Sequence, residues 1–308
     1  MSTPFTTPQA VESLRPNVHV FPPRDLLPEA LIIRATTLVA PTVEGDQPIV
    51  RAPFLTVGEA GFVPEGDEIP DGGVDSREAI IATGKVATIA EVSREQYKQT
   101  AMSNLLSTEM KRAVIVKADG AFLAQPMPAG GAITPPPGIL VQDHTAGGRV
   151  VDNLDAVADA IALIEGHSGT ADLIVASPAS WAAVSKLKTG EGSNASLLGP
   201  PAVAAERQLL SVPVAVSASV PDDLLLIVDR RAILSAYSGV TLAVSEHAAF
   251  RRDAFVTRVT WRLGATITHP ERVIELRVGE AGSGGEVEGA AARVATAKTA
   301  STASTAKK

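Results

Sequence analysis

Residues 93–118 read as one amphipathic helix, and its length limits what the rest of the chain can be. Ser93 and Gln96 form a capping box: the hydroxyl accepts from a free backbone N–H of the first turn while the amide reaches back. Tyr97, Ala101 and Leu105 fall at i, i+4 and i+8, and Met102, Leu106, Met110 and Ala113 continue an adjoining stripe. Lys98, Gln99, Glu109, Lys111 and Arg112 face elsewhere, and Asp119-Gly120 reads as the stop. About 26 residues at about 1.5 Å rise make a rod of roughly 39 Å, at least twice the usual helix length. Such a rod suits a building block better than a catalytic pocket.

The stretch before the helix supports that reading. F-V-P-E-G-D-E-I-P-D-G-G from Phe62 has turn formers at almost every position and too few apolar residues for a core, so it reads as a hairpin tip projecting into solvent or onto a partner. Ile49–Val57 is a strand candidate leading to the tip, with Pro53 placing it at an edge or bulge. Ile81, Val86, Ile89 and Val92 mark the strand returning from it. The tip carries Glu59, Glu65, Asp67, Glu68, Asp71 and Asp75 against Arg77. The D-x-[DN]-x-[DN]-G spacing of a calcium loop is absent, so these carboxylates read as a solvated or partner-facing acidic surface.

Upstream, Pro4, Pro8, Pro16, Pro22, Pro23, Pro28, Pro41 and Pro48 exclude a continuous helix. Leu26, Leu27, Leu31, Ile32, Ile33, Leu38 and Val39 are too apolar to stand in water, so 13–48 reads as an extended arm lying on its own or a neighbouring subunit. Downstream, the Pro- and Gly-rich 124–138 marks a crossover. Asn153–Glu165 then has a helix face, Asp172–Ala176 reads as a short buried strand, and Ser177-Pro178 opens another helix. Strands are expected at 212–216, 224–228 and 240–244, and one long half-buried strand in Phe255–Leu276. Helices mixed with a sheet, without strict βαβ alternation, make the fold α+β.

Composition narrows the function classes. With no cysteine, disulfides, thiolate metal sites and cysteine nucleophiles are excluded. The formal net charge of −7 argues against a surface that grips nucleic acid, although a DNA container need not attract its contents. No apolar run spans a membrane, and the N-terminus lacks a signal peptide pattern, so a chain made in the cytoplasm is expected. Gly166-His167-Ser168-Gly169-Thr170 places a Ser beside a His, but a nucleophile elbow needs G-x-S-x-G after a strand, and position 170 is Thr. A hydrolase using Ser168 and His167 is the weaker alternative to a simple helix-to-strand turn. No P-loop or H-E-x-x-H occurs, and no cofactor or metal is expected.

The order F-V-P-E-G-D-E-I-P, K-V-A-T-I-A-E-V-S, long helix resembles the major capsid proteins of tailed bacteriophages, the Hong Kong 97 fold. D-L-I-V-A-S-P-A-S-W-A-A-V-S-K-L-K at 172–188, with L-L-G-P and S-V-P-V after it, and F-V-T-R-V-T-W-R-L-G-A-T-I-T-H-P-E-R-V-I-E-L at 255–276 extend the resemblance over roughly Val50 to Leu276. It implies an N-terminal arm at 1–48, a peripheral (P) domain strand at 49–57 and an extended E-loop at 58–84. It further implies P-domain residues 85–138 with a spine helix at 93–118, an axial (A) domain at 139–243, P-domain strands at 244–280 and a flexible tail at 281–308. The implied function is self-assembly into pentamers and hexamers of an icosahedral virion shell around double-stranded DNA, made in a bacterial host, with no membrane partner. Separate scaffolding, portal and decoration proteins are the further partners. An encapsulin compartment shares the fold; the Pro-rich arm and acidic loop favour the phage shell.

On that reading Glu65, Asp67, Glu68 and Arg77 of the loop and Lys98, Lys111 and Arg112 of the spine helix are the candidate intersubunit contacts. The family's namesake is cross-linked between an E-loop lysine and a late-strand asparagine. Here Ile69 falls at the lysine position and a residue near Asp253 at the other; no lysine precedes Lys85 and no asparagine follows Asn194, so the shell is expected to be non-covalent.

Overall fold

The structure is a computed structural model describing residues 18–40, 48–57, 62–63, 65, 74–97, 100–130, 132–190, 196–198 and 207–279. In chain order its elements begin with β1 (Val18–Phe21), α1 (Pro23–Leu26), α2 (Leu31–Ala35), β2 (Thr37–Ala40), β3 (Ile49–Val57), β4 (Val74–Ala82), β5 (Gly84–Ser93), α3 (Arg94–Tyr97) and α4 (Thr100–Ala124). They continue with β6 (Thr145–Val150), α5 (Asp155–Gly166), β7 (Leu173–Ala176), α6 (Pro178–Ser185), β8 (Gln208–Leu209), β9 (Val212–Val216), β10 (Leu224–Val228), β11 (Ile233–Tyr237), β12 (Val240–Ala249), β13 (Ala254–Ile267) and β14 (Val273–Val278).

Two sheets share the body. In the first, Leu263 of β13 lies opposite both Gly84 of β5 and Tyr237 of β11, so β5 and β11 occupy opposite edges of β13. β12 continues along the β11 edge, and β1 and β2 flank β12 and β11 on the far side. The second sheet has the order β6-β14-β10-β7-β9-β8. Its central strands are buried on both faces, which is why L-L-L-I-V and L-I-V-A are unbroken apolar runs. Leu224, Leu226 and Val228 face the core shared with α4, whereas Leu225 and Ile227 face Val157, Ala160 and Ile164 of α5.

Several expectations need correction. The run 255–276 is two strands in different sheets: the turn around Pro270–Arg272 separates β13 from β14, which crosses to pair with β10. The division at 243 therefore falls inside β12 of the first sheet, while 273–278 belongs to the second. Residues 22–40 are not extended throughout. Pro23 sits in the first turn of α1, where its missing N–H costs nothing, and Leu27, Leu31 and Ile32 pack into the chain's own core.

The long helix also differs. Ser93 does cap, Gln96 N–H donating to its Oγ over 3.3 Å, and α3 follows it directly; past 98–99, which lie outside the described residues, α4 spans about 37 Å from Thr100. Asp119-Gly120 does not stop it. Asp119 turns inward and accepts from the Leu31 N–H at 2.8 Å, and Phe122 and Leu123 beyond it are buried. The buried stripe runs Met110, Val114, Ala118, Phe122, so the exposed Ala113 is off it. Trp261 of β13 lies fully buried against this core, its indole N–H donating to Ser238 O at 3.1 Å.

Candidate intersubunit surfaces

β3 and β4 form a two-stranded ribbon, Ile49 opposite Ala82 at its base and Val57 opposite Val74 at its far end, a length of about 30 Å. Among the described side chains, packing is confined to the base. Ala52, Ala79 and Ile81 are buried against Ala236, with Val39, Val50, Phe54 and Leu234 around them. Thr83 N–H donates to Pro48 O at 2.8 Å, closing the ribbon, and Arg262 reaches Thr83 Oγ1 at 3.1 Å. Gly264 makes the crossing possible: a Cβ there would stand 1.9 Å from Ala82 O. The ribbon is thus fixed at its root and stands clear of the body further out, where Ser76, Arg77 and Glu78 are all exposed.

The structure places the candidate contact residues unevenly. Glu65 is exposed and sits on a turn, Arg77 is exposed on β4 opposite Phe54, and Asp67, Glu68 and Lys98 lie outside the described residues. Lys111 and Arg112 lie on α4 and line one wall of a groove of about 910 Å³ whose other charged residues are Asp25, Glu29, Arg34 and Asp119. Arg112 is 3.8 Å from Glu109 one turn back, an exposed pair that contributes little to the fold. Among the described residues Glu65 makes no ion pair with Lys111 or Arg112 in the same chain. The floor of this groove is electrostatically tense: burial pushes the Asp119 carboxyl up to about 6, against the Leu31 N–H and Ser217 Oγ–H bonds that favour its anion.

Sequence reasoning missed two features. Ile80 and Ile89 are 57% and 67% exposed on β4 and β5, and Leu105 and Val116 are 56% and 57% exposed on α4, so apolar surface is left open on the ribbon, the sheet edge and the rod. The strand period predicts that alternate residues of β5 face outward, which was the available signal for Ile89. The other feature is Arg94, which ties α3 to the β12–β13 turn. It donates to Asp253 Oδ1 at 2.8 Å, lies 3.7 Å from Glu246 and stacks 4.7 Å over Phe255; the hydrogen bond to Asp253 holds its pKa above the ordinary arginine value. Asp253, the residue near the family's cross-linking position, is therefore already paired.

The hydrolase reading has no support in the geometry. His167 Nδ1 is 2.9 Å from Leu163 O, and Ser168 sits at φ 58° on the exposed turn after α5. Among the described residues no group of three His, Asp or Glu side chains is placed to hold a metal, and no helix is long and apolar enough to cross a membrane.

A family model described as "Phage capsid family" matches residues 26–278. No curated protein matches the chain. Among solved structures, a chain from Gordonia phage Cozz is 15% identical with a TM-score of 0.59, the match covering 82% of this chain and 87% of that one. A chain of a structure described as the capsid of an empty GTA particle computed with C5 symmetry is 16% identical with a TM-score of 0.58, covering 82% and 90%. One from Mycobacterium phage Bobi is 16% identical with a TM-score of 0.56, covering 91% and 100%.

Proposed function

The chain belongs to the phage capsid family, and from that premise we propose that it is the shell-forming subunit of a tailed-phage head, assembling into pentamers and hexamers around double-stranded DNA. The family match across 26–278 carries this reading. The structure supports it through a ribbon rooted firmly in the body and exposed at Ser76, Arg77 and Glu78 further out, and through apolar residues left open on β4, β5 and α4. A closed shell needs many modest, reversible contacts that correct errors during assembly and sum to a stable particle.

In the proposed shell the acidic tip, Glu65 with Asp67 and Glu68, lies on a neighbouring subunit near Lys111, Arg112 and Lys98. Charge complementarity there sets register and partner choice more than affinity. The shell is non-covalent, because the loop offers no lysine before Lys85 and Asp253 is engaged by Arg94. The protein acts as structure rather than catalyst, and its place is the virion.

Negative-stain microscopy of the purified chain tests this. Closed shells of uniform size are expected, and a monodisperse small species at high concentration would overturn the reading; shells carrying enzyme cargo instead of DNA would favour a compartment over a phage head. Boiling mature particles in detergent should release one band near 31.8 kDa, and a ladder of multimers would refute the non-covalent shell.

A further inference from the structure

The segment linking α4 to β6 is fastened where the two sheets meet. Gln142 does the first part: its Nε2–H groups donate to Pro137 O within the linker and to Ala265 O, at 3.1 Å each, and its Oε1 accepts from the Ile267 N–H at 2.9 Å, so two of the three bonds reach the end of β13. His144, two residues on, faces the other sheet. Its Nε2 is 2.9 Å from Glu275 Oε2 on β14, and its Nδ1 is 2.8 Å from Gln142 O. The imidazole and the carboxylate side chains are only 17% and 15% exposed.

Both acceptors matter. A carbonyl and a carboxylate each require an N–H, and a neutral imidazole has only one. Only the imidazolium satisfies both; removing the Nε2 proton would turn a lone pair toward Glu275. The other charged groups keep Glu275 ionised. Arg277 pairs with Glu275 Oε1 and, through its other nitrogen, with Asp223 at 3.1 Å, while Asp143 lies beside the ring. His269 and Glu271, in the nearby turn between β13 and β14, pair with each other at 3.1 Å, and Arg149 at the far end of β6 donates to Gly279 O. The elements reaching the linker from the first sheet offer neutral partners, Ala265 and Ile267.

We propose that His144 is a proton-operated latch: as the imidazolium it clamps the linker onto β14 at the junction of the two sheets, and loss of its Nε2 proton releases that clamp. The direction is consistent. Hydrogen bonding to Glu275 outweighs burial and raises the His144 pKa; for Glu275, burial alone would raise the pKa, but His144 and Arg277 together lower it. A group whose folded pKa is raised stabilises the fold at low pH, and that stabilisation disappears as pH rises through the folded value. The latch therefore holds on the acidic side and opens on the alkaline side. Its location allows an effect on sheet arrangement, since Thr145, one residue on, opens the β6–β14 pairing opposite Ile274.

The latch is internal to one subunit, so its test is independent of the shell reading. Hydrogen exchange read by mass spectrometry on the full chain reports both the titration of each histidine, through its imidazole C2 proton, and the protection of backbone amides. His144 should titrate above the ordinary histidine range, and protection of the amides at 145–147, corrected for intrinsic rate, should fall by about tenfold or more from about pH 6 to about pH 9. In Glu275→Gln, which keeps an acceptor but loses the charge, the His144 titration should drop to the ordinary range. In His144→Gln the protection at 145–147 should no longer depend on pH. Wild-type His144 titrating in the ordinary range, or a flat protection profile at 145–147, would overturn the proposal.

Discussion

The second sheet and the β3–β4 ribbon are opposite solutions to the same problem of what to do with a strand's two faces. β7 and β10 bury both faces within one chain, with α5 on one side and the α4 core on the other. The ribbon buries one face at its root and then leaves the body, its strands unpaired on their outer edges among the described residues. An open two-stranded ribbon is marginal in water by itself, and an exposed edge invites pairing with another chain. On the proposed shell-forming reading, the difference teaches where this molecule is complete as a monomer and where a copy of itself would finish it.

Substitutions can break that contrast or sharpen it. The largest expected loss is in the core: Trp261→Ala empties a fully buried site and removes the hydrogen bond to Ser238, so urea unfolding of the subunit should show a loss of about 3–5 kcal/mol. A pH effect at Asp119 comes next. Its folded carboxyl sits at about 6 against an ordinary aspartate value of 3.8, so the folded state holds a proton the unfolded chain has released, and stability falls as pH rises through that window. The change is about 3 kcal/mol, fully developed above the folded value. Asp119→Asn should flatten this slope in unfolding measurements across the window and leave the subunit at least as stable at neutral pH.

Gly120→Ala should stabilise the subunit by about 1 kcal/mol, because nothing stands within 4 Å of the added Cβ and a mid-helix glycine is entropically costly. Smallest in the subunit, and the sharpest test of the contrast, are changes on the open surfaces. Ile89→Ser, or Glu65 and Glu68 together replaced by Lys, should move subunit stability by no more than about 0.5 kcal/mol while reducing the yield of shells by sedimentation. Normal shell yield from both would detach these residues from assembly.

Legibility followed burial. β9 and β10 stand where the apolar runs place them, and α5 and α6 begin within two residues of their expected starts, because their patterns serve contacts inside the chain. Apolar alternation was blind to the break at His269-Pro270, since β13 and β14 are both half-buried strands and only the change of sheet distinguishes them. β11 was missed because its five residues, between Arg230-Arg231-Ala232 and Ser238-Gly239, are too few to show a clear apolar alternation of their own. The Asp119-Gly120 stop failed for a tertiary reason, the Leu31 amide making a buried aspartate useful inside a helix. The candidate contacts were legible only as charge and exposure. A contact between copies leaves no periodicity in one chain, so spacing could not say whether Glu65 or Lys111 takes a partner in another copy.

The most direct test compares hydrogen exchange in the unassembled subunit with exchange in assembled particles. Amides of β7 and β10 should exchange slowly in both states, whereas those of β3 and β4 beyond the root at Ala52 and Ala79 should exchange quickly in the free subunit and become protected only in the particle. Ribbon amides equally protected in both states would contradict a subunit that is finished by its neighbours.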